Sequence, residues 1–108
     1  MAKFKPGEVW QVDLGLAAKI RPCLILSDYP RDNELALVVI VPHTTAVRGN
    51  RWELSITKPF LKPGAFHLQQ IQSISLARLE RKLGLLTTEE FLSVKATFTR
   101  LFELPPFI

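Results

Sequence analysis
The run Leu35-Ala36-Leu37-Val38-Val39-Ile40-Val41 is wholly apolar and ends in four consecutive β-branched residues. It is too short for an ordinary helix and carries no polar face, so it predicts a buried strand at the centre of a sheet. Pro42 follows immediately, and because proline cannot donate to a ladder it is expected to stop that strand.

The flanking segments are just as short. Lys5-Pro6-Gly7-Glu8 reads as a turn, and residues 9–14 alternate as a half-buried strand in which Val9 or Trp10 helps close a core. Gly15 ends that strand, and a brief connection through Lys19 leads to Arg21-Pro22 and a second strand over residues 23–27. Residues 29–33 form a loop, and so do residues 43–51, which are polar and contain Gly49. Residues 52–56 resume a strand, Lys62-Pro63-Gly64 turns the chain, and residues 65–68 with 70–75 make one bent strand or two short ones. Residues 76–83 fit either a helical turn or an approach strand, which Gly84 is expected to break.

Only the C-terminal segment changes period. Thr87 or Thr88 opens a helix, and Thr87 with Glu90 has the spacing of a capping box, in which hydroxyl and carboxylate satisfy free amides of the first turn. Phe91, Val94 or Lys95, Phe98, Leu101 and Phe102 recur at helical spacing as an apolar stripe, and Pro105-Pro106 ends it. Several short strands followed by one late helix predict a mainly β, α+β fold, a small barrel with the C-terminal helix packed on it.

The 108 residues, 47% of them hydrophobic, suffice for one core of modest size, so a single domain over residues 1–108 is expected. Fourteen Lys and Arg against ten Asp and Glu leave a net charge of +4, which favours polyanionic partners without identifying one. The single cysteine, Cys23, lies in the apolar run Cys23-Leu24-Ile25-Leu26 and reads as a buried hydrophobe rather than a disulfide partner or a nucleophile. The N-terminus has no signal-peptide core and no run approaches about 18 apolar residues, which predicts a soluble, cytoplasmic chain without membrane contact.

His43, His67 and Cys23 have no metal-ligand spacing, and there is neither a GxxxxGK[ST] nor a GxGxxG loop, so no metal or nucleotide cofactor is expected. What remains is a polar set at predicted strand ends: Arg21, then His43, Thr44 and Thr45, Arg48 and Arg51 in the loop, and His67 with Gln69 and Gln70. Each has a bland reading as surface, turn or partly buried residue. Together they suit RNA. Attack by a neighbouring 2′-hydroxyl requires in-line positioning, proton transfer and donors to the developing phosphorane, but no protein nucleophile. Arg21 offers a bidentate fork to phosphate, the Thr44 hydroxyl a hydrogen bond to a phosphate oxygen or the 2′-hydroxyl, and His43 a base or acid near neutral pH. Arg48 and Arg51 could track the RNA backbone.

In order, these motifs resemble the MazF/PemK family of toxins from bacterial toxin-antitoxin systems. Pro6-Gly7-Glu8-Val9-Trp10-Gln11-Val12-Asp13-Leu14 looks like the family's opening strand, and Arg21-Pro22-Cys23-Leu24-Ile25-Leu26-Ser27 like its "RP-x-x-x-LS" element. Val39-Ile40-Val41-Pro42-His43-Thr44-Thr45 is similar to its "P-x-T-T" strand end. Gly64-Ala65-Phe66-His67-Leu68-Gln69-Gln70-Ile71-Gln72-Ser73-Ile74 and Leu79-Glu80-Arg81-Lys82-Leu83-Gly84-Leu85-Leu86-Thr87 match its later "DQ" and "L-x-x-[RK]-[IL]-G-x-L-[ST]" segments.

The resemblance implies an SH3-like barrel, a homodimer with single-stranded RNA in the groove between subunits, metal-independent cleavage at short sequence motifs leaving a 2′,3′-cyclic phosphate, and an antitoxin partner. It places Arg21 at the family's catalytic arginine, Thr44 at its catalytic threonine or serine, and Gln70 at the glutamine of "DQ". The chain departs from the pattern at Gln69, where the family has aspartate, at Gln72, where it has a basic residue, and in residues 15–20, a connection shorter than the usual glycine-rich loop. His43 or His67 is then expected to move the proton, and Lys19 to contact phosphate. The alternative is a non-catalytic barrel of the same fold, a gyrase-poison-like toxin or an interaction module.

Overall fold
The computed structural model describes residues 3–15 and 19–105. Seven strands, β1 (Glu8–Asp13), β2 (Ile20–Ile25), β3 (Leu37–Thr44), β4 (Glu53–Leu54), β5 (Ala65–His67), β6 (Gln72–Ser75) and β7 (Leu79–Leu85), precede one helix, α1 (Thr88–Leu101). Short 3-10 turns at Leu68–Gln70 and Leu76–Arg78 flank β6.

Residues 37–41 of the apolar run lie in the central strand of the sheet, whereas Leu35 and Ala36 precede β3 and are exposed. One edge of β3 pairs antiparallel with β2, from Ile25↔Ile40 to Cys23↔Pro42. The other edge is shared: β6 pairs from Leu37↔Ser75 to Ile40↔Gln72, and β5 takes over at His43↔Phe66 and Thr44↔Ala65. Pro42 therefore does not stop the strand. Its missing N–H falls at the junction between the two ladders, after β6 has ended and before β5 begins, so β3 continues to Thr44.

Alternate side chains feed two cores. Trp10, Val12, Cys23, Ile25, Val38, Ile40, Ile74 and Leu79 pack on one face with Phe4, while Val9, Leu24, Val41, Phe66 and Leu68 pack on the other against Val94 and Phe98 of α1. Burial of β3 on both faces explains why it is apolar without alternation. Because Ile74 of β6 and Leu79 of β7 meet in the first core, the sheet wraps around it. A turn, Leu76–Arg78, rather than a ladder among the described residues joins those two strands.

Three further local expectations are revised. Residues 76–83 contain both alternatives in succession, a 3-10 turn and then β7, and β7 runs through Gly84 because the Phe60 ring covers that position where a Cβ would stand. Around Trp52 only Glu53–Leu54 pair as strand, although the Trp52 carbonyl still accepts a hydrogen bond from Leu68 N at 3.0 Å. Of the two alternatives for residues 65–75, the two short strands form, β5 and β6, trimmed at their facing ends because Leu68–Gln70 make a 3-10 turn between them.

The helix begins as its capping box requires, with Glu90 N donating to Thr87 Oγ1 at 3.1 Å and Thr87 N to Glu90 Oε1 at 2.8 Å. It ends before the proline pair. Glu103 adopts φ +53°, Leu104 N donates to the Thr99 carbonyl at 2.9 Å and Glu103 N to the Arg100 carbonyl at 3.2 Å, a Schellman stop. Glutamate in the left-handed region costs about 1–2 kcal/mol relative to glycine. Glu103→Gly is therefore expected to raise stability by about 1 kcal/mol in denaturant melts; an unchanged or lower midpoint would contradict this account of the helix end.

Candidate active site
Sequence-distant polar residues meet where β2 starts and β3 ends. Two residues beyond the Cys23↔Pro42 pair along each strand lie Arg21 and Thr44, and both line one groove of about 330 Å³ together with His43, Arg48, His67 and Gln70. A second groove, of about 810 Å³, shares Arg21 and His43 as a wall and adds Lys19, Thr45, Lys62 and Arg81. Among the described residues no carboxylate lines either groove.

Thr44 Oγ1 accepts a hydrogen bond from Ala46 N at 3.0 Å, which holds the start of the following loop. That bond occupies a lone pair and leaves the hydroxyl proton available to donate. His43 is only 3% exposed and packs edge-on against Phe66, with ring centroids 5.1 Å apart. Its Nε2 is buried and has no hydrogen-bond partner among the described residues. Burial pushes its pKa below the ordinary histidine value, so the imidazole is neutral at pH 7. The residue read from sequence as a loop histidine is thus a buried strand residue against the groove.

The loop after β3 is organised by Glu53 of β4. Its carboxylate accepts from Arg48 N at 2.9 Å and from Asn50 N at 2.9 Å, and these amides, Arg48 foremost, hold its pKa below the usual carboxylate value. Arg48 is thereby set beside Thr44 in the first groove. Arg51 is turned away, its guanidinium 4.3 Å from the centre of the Trp52 ring, outside both grooves. Gln69 is exposed on its 3-10 turn and lines neither groove, whereas Gln70 lines the first. Lys19, at φ +56°, directs the chain into β2 and lines the second groove; residues 16–18 of that connection lie outside the described residues.

Sequence reasoning did not single out Lys62 or Arg81. Arg81 is placed by the β1–β7 ladder, where it stands opposite Gln11, and nothing in its own neighbourhood distinguishes it from Lys82. Cys23 is fully buried beneath the site with its thiol pushed up to about 12, in keeping with a core role. Among the described residues no group of three or more His, Cys, Asp or Glu converges on a metal position, and no helix is long and apolar enough to cross a membrane.

The chain matches the sequence profile of the PemK-like, MazF-like toxins of type II toxin-antitoxin systems over residues 5–102. Comparison with curated proteins gives no significant match. Among solved structures, it resembles an endoribonuclease from a mycobacterial species in complex with its cognate antitoxin, at 24% identity and a TM-score of 0.78, covering 96% of this chain and 99% of the other. It resembles the Mycobacterium tuberculosis toxin MazF-mt6 at 25% identity and a TM-score of 0.76, over 92% and 99% of the two chains. A MazE-MazF structure from Deinococcus radiodurans is 17% identical, with a TM-score of 0.81 over 97% and 100%.

Proposed function
The chain belongs to the PemK-like, MazF-like toxin family of type II toxin-antitoxin systems, and from that premise we propose that it is an endoribonuclease cleaving single-stranded RNA by 2′-hydroxyl attack, without a metal. The observation that carries this reading is the meeting of Arg21, Thr44 and His43 on a groove that has no carboxylate in its lining among the described residues. The Arg21 guanidinium spans two oxygens of the scissile phosphate, and the Thr44 hydroxyl donates to one of them, so that charge developing on the phosphorane meets fixed donors. Neutral His43, which lines the groove, accepts the 2′-hydroxyl proton as the 2′-oxygen attacks phosphorus. The P–O5′ bond breaks as the 5′-oxygen takes a proton from water, giving a 5′-hydroxyl end and a 2′,3′-cyclic phosphate. Arg48, Thr45, His67, Gln70 and Lys19 hold the strand on either side. Gln69 and Arg51, which line neither groove, are assigned no contact within one protomer.

The reading includes a homodimer, with RNA lying between subunits, and an antitoxin that occludes the groove; the likeness to MazE-MazF complexes supports the second. Purified protein is expected to cut a long single-stranded RNA equally well with and without EDTA and to leave cyclic phosphate ends. Absence of cleavage in any RNA context, alongside inhibition of gyrase, would replace the nuclease reading with a protein-binding one.

The two histidines separate by pH. Because burial lowers the His43 pKa, its base form persists on acidification below the ordinary value of about 6.5. The kcat/KM profile should therefore rise with pH along an acid limb whose midpoint lies below that value. His43→Gln is expected to lower the rate by about 10²-fold or more and to abolish that limb. His67→Gln, at a half-buried residue paired with Glu53, should have the smaller effect and keep the limb. Equal, wild-type rates and profiles for both variants would remove His43 from the chemistry.

A further inference from the structure
We infer that the second groove, on the far side of the Arg21–His43 wall, is a phosphate track for the RNA beyond the scissile bond, with Lys62 and Arg81 as its contacts; this rests on the nuclease reading above. Arg21 and His43 line both grooves. A strand whose scissile phosphate sits on Arg21 therefore has the second groove directly available to its next segment.

The charge arrangement supports the assignment. Lys58 is 2.6 Å from Glu90 and Lys82 is 3.3 Å from Glu8, and both of these paired cations lie outside the grooves. Lys62 and Arg81 are exposed, have no carboxylate within ion-pair distance among the described residues, and face the groove with Lys19. Strand alternation on β7 produces the division: Lys82 stands opposite Trp10 and reaches Glu8, whereas Arg81 stands opposite Gln11, which also lines the groove. Unneutralised cations in a concave surface create the field that holds a phosphate backbone, while the half-buried Phe60 adds an apolar wall.

The test measures binding of an uncleavable 2′-deoxy-substituted strand, and cleavage of the matching RNA, across a salt series. The strand extends well beyond the scissile bond. Lys62→Ala with Arg81→Ala is compared with a charge-matched control, Arg31→Ala with Lys95→Ala, at exposed positions outside both grooves. The groove variant is expected to bind about tenfold more weakly at moderate salt, with a log affinity against log salt slope shallower by about 1.4, the value for two lost phosphate contacts on a single strand. The cleavage loss should appear in KM for the long RNA, and the control pair should show a smaller change in slope.

If the wild type binds the strand but cleaves no RNA, the nuclease reading fails, while the groove assignment stands on the altered slope. If the wild type cleaves and the groove variant matches the control in affinity and slope, the groove assignment alone is overturned. It is equally overturned if the variant loses affinity only for an acidic polypeptide, and both readings fall if the wild type binds no RNA.

Discussion
Arg21→Ala is expected to lower kcat/KM for RNA cleavage by about 10²–10³-fold, the cost of removing a preorganised donor from a developing charge, while the protein stays folded. Arg21, the second residue of β2, is only partly buried and belongs to neither core, so its truncation leaves the apolar packing intact. Its backbone continues to pair with Val12. What is lost is the fork that reaches the scissile phosphate from the wall common to both grooves.

Arg21→Lys distinguishes fork from charge. A point charge attracts RNA but cannot satisfy two phosphate oxygens in one plane, so binding should recover more than turnover. Thr44→Ala should cost less than Arg21→Ala, since one neutral donor is removed. Single-turnover cleavage with a thermal melt for each variant provides the measurement. Wild-type turnover by folded Arg21→Ala would move the chemistry elsewhere in the groove.

Gly64→Ala is expected to be the most damaging of the small substitutions for stability, by about 3 kcal/mol, the upper range for forced overpacking. A Cβ at this position would collide with the Thr44 carbonyl oxygen and stand 2.8 Å from His43 Cε1. The carbonyl is backbone held in the β3–β5 ladder, so it cannot rotate aside as a side chain would. Relief requires β5 to move away from His43 and Thr44, which weakens the fold and displaces two groove residues together.

For a domain of this size the loss corresponds to a melting point lower by roughly 10–20 °C. Residual activity should fall even below the transition. Gly49→Ala gives the contrast: Gly49 has φ +78° but open space at its Cβ, so only backbone strain of about 1 kcal/mol is expected. Near-equal effects at the two glycines would show that the close approach at Gly64 is readily relieved.

Much of the fold was legible because its signals are local. The capping box depends on residues three apart, and both of its hydrogen bonds form. The apolar run at the centre of β3 has no polar face to expose and is buried in two cores. Cys23 behaves as its apolar neighbours suggested. The places that were misread involve partners from elsewhere in the chain. Pro42 and Gly84 look like strand breakers until the ladder junction and the Phe60 ring supply the context that tolerates them.

The same division holds at the candidate site. The sequence by itself offered the candidates for phosphate chemistry, Arg21, His43 and Thr44, with Lys19, Thr45, Arg48, Arg51, His67, Gln69 and Gln70 beside them. Side-chain chemistry and motif order are carried by the chain. Only the tertiary structure decided that Lys62 and Arg81 face a groove while Arg51 lies on Trp52, and that His43 is neutral and buried rather than solvated. Exposure, proton affinity and the sharing of a groove depend on distances between segments far apart in sequence, and those distances are set by the β3 and β7 ladders.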